Sequence, residues 1–510
     1  MRRLSGLSAL LTAPWILSFT SAADLLSRRD LQPLPLSVHD RYIVDSKNAT
    51  VAMVGVNWAG HERAMIPEGL QYQSVEHIVR RIAETGFNSV RLTFASEMVD
   101  DIVERGGDVS LKTTLQNALG PENGTAVMAQ IIKNNPAFGE GTRRLEIWDA
   151  VAAELARQKL YLHLDNHVSK AGWCCNPYDG NGWFGDTNFN TSNWVRSLSF
   201  MAEHGKAANW PSFSSIGLRN ELRDPFSGSP PASLENTTWT TWKTRMVQAA
   251  NAVHAANPDL LIFFSGRIFD FDISAPVQGR FGSEPDFGFA LAELPFRHKF
   301  VFEQHQYDQG LVDDACANYR DILTAFGSNA MTIADAGSNR APLVMSEWGH
   351  DQADESGMFK DKFRRCLMDF MVDQQMSWMV WVMGGSYYTR EGVQDRDEPW
   401  GEFECSVVYY SFFFVPKRSA TSERETFSDE LSDTGLLDHT WSSYRGKDSI
   451  KQLQHDMQRT YEAFHQNMPA AAKSPENRPK NAASGVLYHL SSAAVLGTTA
   501  AVVLMGVYGL

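Results

Sequence analysis

Cysteine is scarce in this chain, with five residues among 510. Cys174, Cys175, Cys316, Cys366 and Cys405 have none of the spacings that hold a structural metal, so no metal centre is expected. Positive charge is short as well: the formal net charge is −14, which speaks against a nucleic acid or another anionic polymer as partner. No glycine-rich phosphate loop follows the first predicted strand, so the main signature of dinucleotide binding is missing. What remains, 43% hydrophobic and 21% charged, is an ordinary globular composition. The 14 Trp and 14 Tyr serve either core packing or a ring-lined cleft.

Both ends carry address labels. Arg2 and Arg3, an apolar run over 7–19 and Ser21-Ala22-Ala23 predict a secretory signal peptide over 1–23. Its apolar core is too short to span a bilayer. At the other end, 486–510 holds no Asp, Glu, Lys or Arg. Small residues Asn481-Ala482-Ala483 and a polar spacer over 484–492 precede that tail. This layout predicts glycosylphosphatidylinositol attachment at Asn481, with 482–510 as the removed propeptide and 466–481 as a polar stalk. A tail-anchored helix is the competing reading. The mature chain is expected at the cell surface as a monomer, tethered to membrane or wall by its lipid. Disulfides are the default there, but the sequence does not assign a partner to the adjacent Cys174 and Cys175. Sequons beginning at Asn48, Asn123, Asn190 and Asn236 are expected to carry glycans on surface loops.

Residues 24–50 are polar and read as a lead-in segment. Short apolar runs then recur at 51–58, 88–94, 160–166, 214–218, 260–264, 300–304, 343–346 and 378–382. Helical patterns lie between them, at 74–85, 143–157, 193–207, 238–256, 316–329 and 359–374. In the first, Val75, Ile78, Val79 and Ile82 share one face and Gly86 stops the helix. A long insertion occupies 96–140, and a helical region at 436–464 closes the domain, which is placed at 51–465. Continuous apolar strands alternating with helices mean parallel strands covered on both faces. Eight such units predict an α/β fold of the (β/α)8 barrel type, with functional groups where the strands end. Residues 402–433 do not fit: an aromatic run and then a Ser/Thr/Glu-rich run interrupt the loop after the last strand. That segment is either a lid over the mouth or non-coding sequence retained in the gene. Exposure of such a run outside the cell favours the second.

The strand ends carry the chemistry. Arg91 lies on the second strand, Asp165-Asn166-His167 ends the third and Asn220-Glu221 the fourth. His305-Gln306-Tyr307 ends the sixth, Ser346-Glu347 the seventh, and Trp381 stands at the eighth. Two glutamates closing apolar strands toward one mouth suit retaining glycoside hydrolysis, in which one donates a proton and the other attacks the anomeric carbon. Arg91 beside the nucleophile is expected to favour its ionised form. Asn220 is suited to the sugar 2-hydroxyl, Tyr307 to donating to the nucleophile, His305 to orienting its surroundings, and Trp381 to a pyranose face. Each also has an ordinary structural use. Arg91 and Asn220 can pair at the rim, His167 can be a satisfied structural histidine, and Trp381 can be core.

The order Arg91, His167, Asn220-Glu221, His305-x-Tyr307, Glu347 and Trp381 resembles glycoside hydrolase family 5, in the clan of retaining (β/α)8 hydrolases. Gly55-Val56-Asn57-Trp58 is similar to the opening strand of cellulase-type members, and the resemblance covers 51–400 plus 441–445. It implies Glu221 as acid/base and Glu347 as nucleophile, with Arg91, His167, Asn220, His305, Tyr307 and Trp381 binding a β-linked glycan, and no cofactor. It does not choose the sugar, since members act on cellulose, mannan, other β-glucans and glycolipids. The loop 168–186, with Trp173-Cys174-Cys175, matches no motif that names one. A wall-organising transglycosylase, or a sugar-binding surface protein that no longer hydrolyses, are the alternatives on the same barrel.

Overall fold

The computed structural model describes residues 31–225, 230–308, 310, 312, 315–398 and 435–466. The signal peptide, the insertion at 402–433, Cys405, the stalk beyond 466, Asn481 and the propeptide lie outside the described residues. A short antiparallel hairpin comes first, β1 (Ser37–His39) with β2 (Tyr42–Val44). The barrel strands follow as β3 (Val54–Trp58), β4 (Ser89–Ala95), β5 (Tyr161–Val168), β6 (Phe213–Gly217) and β7 (Leu261–Phe264). A two-stranded ribbon, β8 (Arg280–Phe281) and β9 (Glu284–Gly288), precedes the last three, β10 (Phe300–Gln306), β11 (Leu343–Trp348) and β12 (Ser377–Val380). The eight barrel strands close on themselves, β12 pairing in parallel with β3.

These strands are buried along their whole length, which is why they read as unbroken apolar runs rather than alternating ones. The helices between them are one-sided. In α1 (Val75–Thr85) the Ser74 hydroxyl accepts from the His77 amide, the predicted apolar face is buried, and Gly86 ends the helix at φ 115°. The expected insertion holds α2 (Ser96–Arg105), α3 (Leu111–Leu119) and α4 (Pro121–Asn134) ahead of α5 (Arg144–Arg157). Further helices are α6 (Thr191–Ala207), α7 (Trp239–Ala256), α8 (Ser274–Gln278), α9 (Ala317–Ala325) and α10 (Lys362–Gln374). Closure comes from α11 (Lys447–Gln466), which starts later than the predicted 436. Among the described residues no helix is long and apolar enough to cross a membrane.

The lead-in is more than a leader. Leu36, Ile43, Val51 and Met53 pack with Tyr161, Leu261, Phe263, Val301, Val344 and Met379, the inward side chains near the strand starts. The β1–β2 hairpin therefore seals the floor of the barrel, and the first barrel strand begins at Val54 rather than at 51. Two disulfides form, Cys174–Cys175 and Cys316–Cys366. Cys316–Cys366 ties the residue before α9 to the middle of α10. The sequon asparagines are all exposed, but only Asn48 and Asn236 sit on loops. Asn123 lies in the first turn of α4, and Asn190 caps α6 by accepting from the amides of Ser192 and Asn193.

Candidate active site

All eight side chains singled out at the strand ends converge at one mouth, and Arg91 is the hub. Its Nη1 donates to Glu347 Oε1 at 2.5 Å and to Asn57 Oδ1 at 2.9 Å. Its Nη2 donates to Asn220 Oδ1 at 2.9 Å and lies 3.0 Å from Asp165 and 3.2 Å from Glu303. Asn57 is itself fixed by donating to the backbone carbonyls of Ser346 and Val380. A fully buried guanidinium needs this many acceptors, because an unpaired charge at that depth costs several kcal/mol. Parallel register supplies them: Asn57 stands beside Arg91, and His305 beside Glu347.

Glu347 receives a second donor, Tyr307 Oη, at 3.0 Å on Oε2. Glu221 follows β6 in the left-handed region, at φ 47°, and its backbone amide donates to Asp270 Oδ2 at 3.0 Å. His305 stands between the two glutamates. Its Nδ1 is 3.1 Å from Glu221 Oε1 and 3.7 Å from Glu347 Oε2, and its Nε2 is 3.1 Å from Ser346 Oγ. A register shift between Gln304 and His305 aims the ring there. One oxygen of Glu221 and one of Glu347 lie within 4.8 Å of each other. Gly217 leaves space below: a Cβ there would sit 3.1 Å from Asp165 Oδ1 and 3.3 Å from Glu303 Oε2.

Burial works against charge throughout the site, and neighbours decide the outcome. Desolvation pulls His305 down, but Glu347, Glu221, Glu303 and Asp270 hold it well above the usual histidine range, as an imidazolium. Glu347 is raised by burial, and His305 and Arg91 oppose that rise while Glu221 adds to it. Arg91 thus acts as expected, yet the net direction is upward. Burial drives Asp165 up to about 6. For Glu303 the same burial is outweighed by Arg91 and His305, which draw it down to about 2. Burial and the adjacent Glu347 keep the Tyr307 phenol a neutral donor.

Further out, His167 Nδ1 lies 2.7 Å from Asp165 Oδ2. Its ring stacks on Trp381 at 5.5 Å and 12°, and lies tilted at 37° against His61 at 3.9 Å. Desolvation keeps both imidazoles neutral. Trp381 stands one residue beyond β12 rather than on it. His61, Asp270 and Glu303 were absent from the predicted set. Glu303 could have been found, as a charge two residues before His305 on the same face of an apolar strand. His61 and Asp270 sit on loops with no motif.

Glu221, His305 and Glu347 are close enough to share a cation. These atoms also have protein partners, Tyr307 and Arg91 on Glu347 and His305 on Glu221, an arrangement suited to paired acid chemistry.

A parallel eight-stranded barrel with two carboxyls at the ends of its fourth and seventh strands defines a class of retaining glycoside hydrolase folds. Residues 44–386 match the family model described as cellulase (glycosyl hydrolase family 5), and the chain belongs to that family. A glycosyl hydrolase 5 family protein of Chamaecyparis obtusa is 34% identical over 387 residues, covering 72% of this chain and 62% of that protein. The chain thus spans less than two thirds of that relative. An endoglucanase of Paenibacillus polymyxa is 22% identical over 67% of this chain and 77% of its own length. The catalytic domain of the major endoglucanase of Xanthomonas campestris pv. campestris shares the fold, with a TM-score of 0.54 at 17% identity over 83% of this chain and 99% of that one.

Proposed function

We propose that this chain is a retaining glycoside hydrolase that cleaves β-glycosidic bonds of a glucan-type polysaccharide or oligosaccharide by double displacement. The observation that carries the reading is the pair of carboxyl oxygens within 4.8 Å. Retaining pairs stand about 5–5.5 Å apart and inverting pairs about 6.5–9.5 Å, with room for a water. Glu347, its two oxygens fixed by Arg91 and Tyr307, attacks the anomeric carbon and forms a glycosyl-enzyme. Glu221 protonates the departing oxygen, then takes a proton from the water that releases the sugar. The His305 imidazolium, 3.7 Å from Glu347 Oε2, offsets the charge of the buried nucleophile, and its Nδ1 lies 3.1 Å from Glu221 Oε1, holding that side chain in place.

The glucan preference is supported by relatives named endoglucanases and by a fold neighbour, an endocellulase from Pyrococcus horikoshii, solved with cellotetraose. The surface location rests on the signal peptide and the attachment signal at Asn481, and the four exposed sequon asparagines suit glycan acceptors. In a Glu347→Ala variant turnover is abolished, and azide restores it as a glycosyl azide of inverted configuration. Wild-type-like turnover in that variant overturns the assignment. Excess acceptor sugar separates hydrolysis from transglycosylation by product length. Release of the protein from cells by a phosphatidylinositol-specific phospholipase tests the anchor.

A further inference from the structure

The loop after β5 places the Cys174–Cys175 disulfide against the acid/base side of the mouth. Asn220 Nδ2 donates to Cys174 Sγ and to Cys175 Sγ, each at 3.5 Å. One sulfur from each cysteine lies within 4.8 Å of a Glu221 carboxylate oxygen. Cys174 is buried and Cys175 half-buried, so the pair forms part of the cleft wall. The preceding Trp173 carries the Arg390 guanidinium over its ring at 3.5 Å, and Arg390 is buried and paired with Glu398. The disulfide therefore follows directly on an anchored aromatic.

Arg91 holds the oxygen end of the Asn220 amide, and the disulfide faces its nitrogen end. Since Asn220 Oδ1 accepts from Arg91, Nδ2 must point the other way, into the sulfurs. Disulfide sulfur is a poor acceptor. The N–H groups are thus steered but not consumed, and their donor capacity stays available to a sugar hydroxyl. Two separate thiols would each rotate about χ1 and give no such fixed backstop.

We propose that the Cys174–Cys175 disulfide is a positioning element that aims the Asn220 amide at the sugar 2-hydroxyl and sets how strictly the enzyme requires that hydroxyl. The proposal rests on the hydrolase reading above. It reaches beyond the acid pair to specificity, because a hydrogen bond to the 2-hydroxyl strengthens in the transition state and a misaimed donor forfeits it.

The test measures kcat/KM for an aryl β-glucoside and for its 2-deoxy analogue, and reads the ratio of the two. In a Cys174→Ala/Cys175→Ala variant the ratio falls about tenfold from its wild-type value, the worth of one well-aimed hydrogen bond. A merely structural lesion lowers both rates together and leaves the ratio alone. The Cys316→Ala/Cys366→Ala variant keeps the wild-type ratio. If the first variant fails to fold, phosphine reduction of folded Cys316→Ala/Cys366→Ala protein replaces it. There the phosphine takes oxygen from water and passes two electrons to the remaining disulfide, leaving two thiols, and the same fall is expected. In an Asn220→Ala background the cysteine substitutions change the ratio no further, since they act through that amide. An unchanged ratio in active enzyme overturns the proposal alone. Inactivity of the wild-type protein toward both glucosides and toward β-glucan oligosaccharides overturns the hydrolase reading and this proposal with it.

Discussion

At the scale of the residue, the site is an exercise in keeping several charges buried at once. Arg91 serves Glu347, Asn57, Asn220, Asp165 and Glu303, and Tyr307 adds the donor that Arg91 cannot reach. Removing that phenol in Tyr307→Phe deprives a buried carboxyl of a hydrogen bond worth about 1.5–3 kcal/mol. Steady-state kinetics are expected to show kcat lower by about tenfold to a hundredfold, and calorimetry a lower melting temperature, because the same hydrogen bond is present in the free protein. Because the proposed nucleophilic role of Glu347 requires an ionised carboxylate and burial raises that carboxyl, the acid limb of kcat/KM is expected above the ordinary carboxylate range. A pH profile of the wild-type enzyme reads it directly.

Glu62, on the loop after β3, offers a separate residue-scale test. Burial pushes its carboxyl from 4.5 up to about 8, Arg390 opposing. A proton held more tightly in the folded state gives stability that is complete below the unfolded value and lost as pH rises through the folded one. The window is therefore pH 4.5 to about 8. Melting temperatures of wild-type and Glu62→Gln protein are expected to diverge through that window, the variant being the more stable above it. Parallel curves would show that Glu62 titrates alike in the folded and unfolded protein.

At the scale of the element, two devices matter. The β1–β2 hairpin is short and irregular in pattern, yet Ile43 is 3% exposed among the side chains that fill the barrel floor. Ile43→Ala is expected to cost about 2–5 kcal/mol in denaturant unfolding. It leaves kcat unchanged, because the floor and the mouth are opposite ends of the strands. The Cys316–Cys366 disulfide closes a loop with a sequence separation of 50. Chain entropy puts its contribution at up to about 4 kcal/mol, so Cys316→Ala/Cys366→Ala protein melts at a lower temperature in calorimetry.

The same scale shows what was legible. The α1 face and its Gly86 stop appear as predicted because amphipathic spacing and a C-cap are local signals. The hairpin does not stand out within the polar lead-in segment, because three-residue strands with half-buried faces carry too little pattern. The Cys174–Cys175 bond was beyond sequence because pairing depends on where the loop docks.

At the scale of the whole molecule, the ends of the excluded segment are neighbours: a Cβ on Gly435 would lie 3.1 Å from Glu398 Cβ. Chain that leaves and returns at adjacent points can be shortened with small entropic consequence. Deleting 402–433 is therefore expected to leave the melting temperature and kcat/KM of the enzyme unchanged, as the foreign-sequence reading requires. A loss of activity with intact folding would instead favour the lid.

The sequence by itself determined the barrel and singled out a glutamate at the end of each of two of its strands. Strands buried on both faces must be apolar throughout, and a carboxylate that ends such a run stands out against it. Only the tertiary structure decided how the polar side chains are charged and aimed. His305 is an imidazolium because four carboxyls, from the turn after β6, from β10, from β11 and from the Asp270 loop, surround it. Asn220 is turned toward sulfur because Arg91, 129 positions away along the chain, holds its oxygen. Those properties belong to distances across the barrel, which no local pattern of residues encodes.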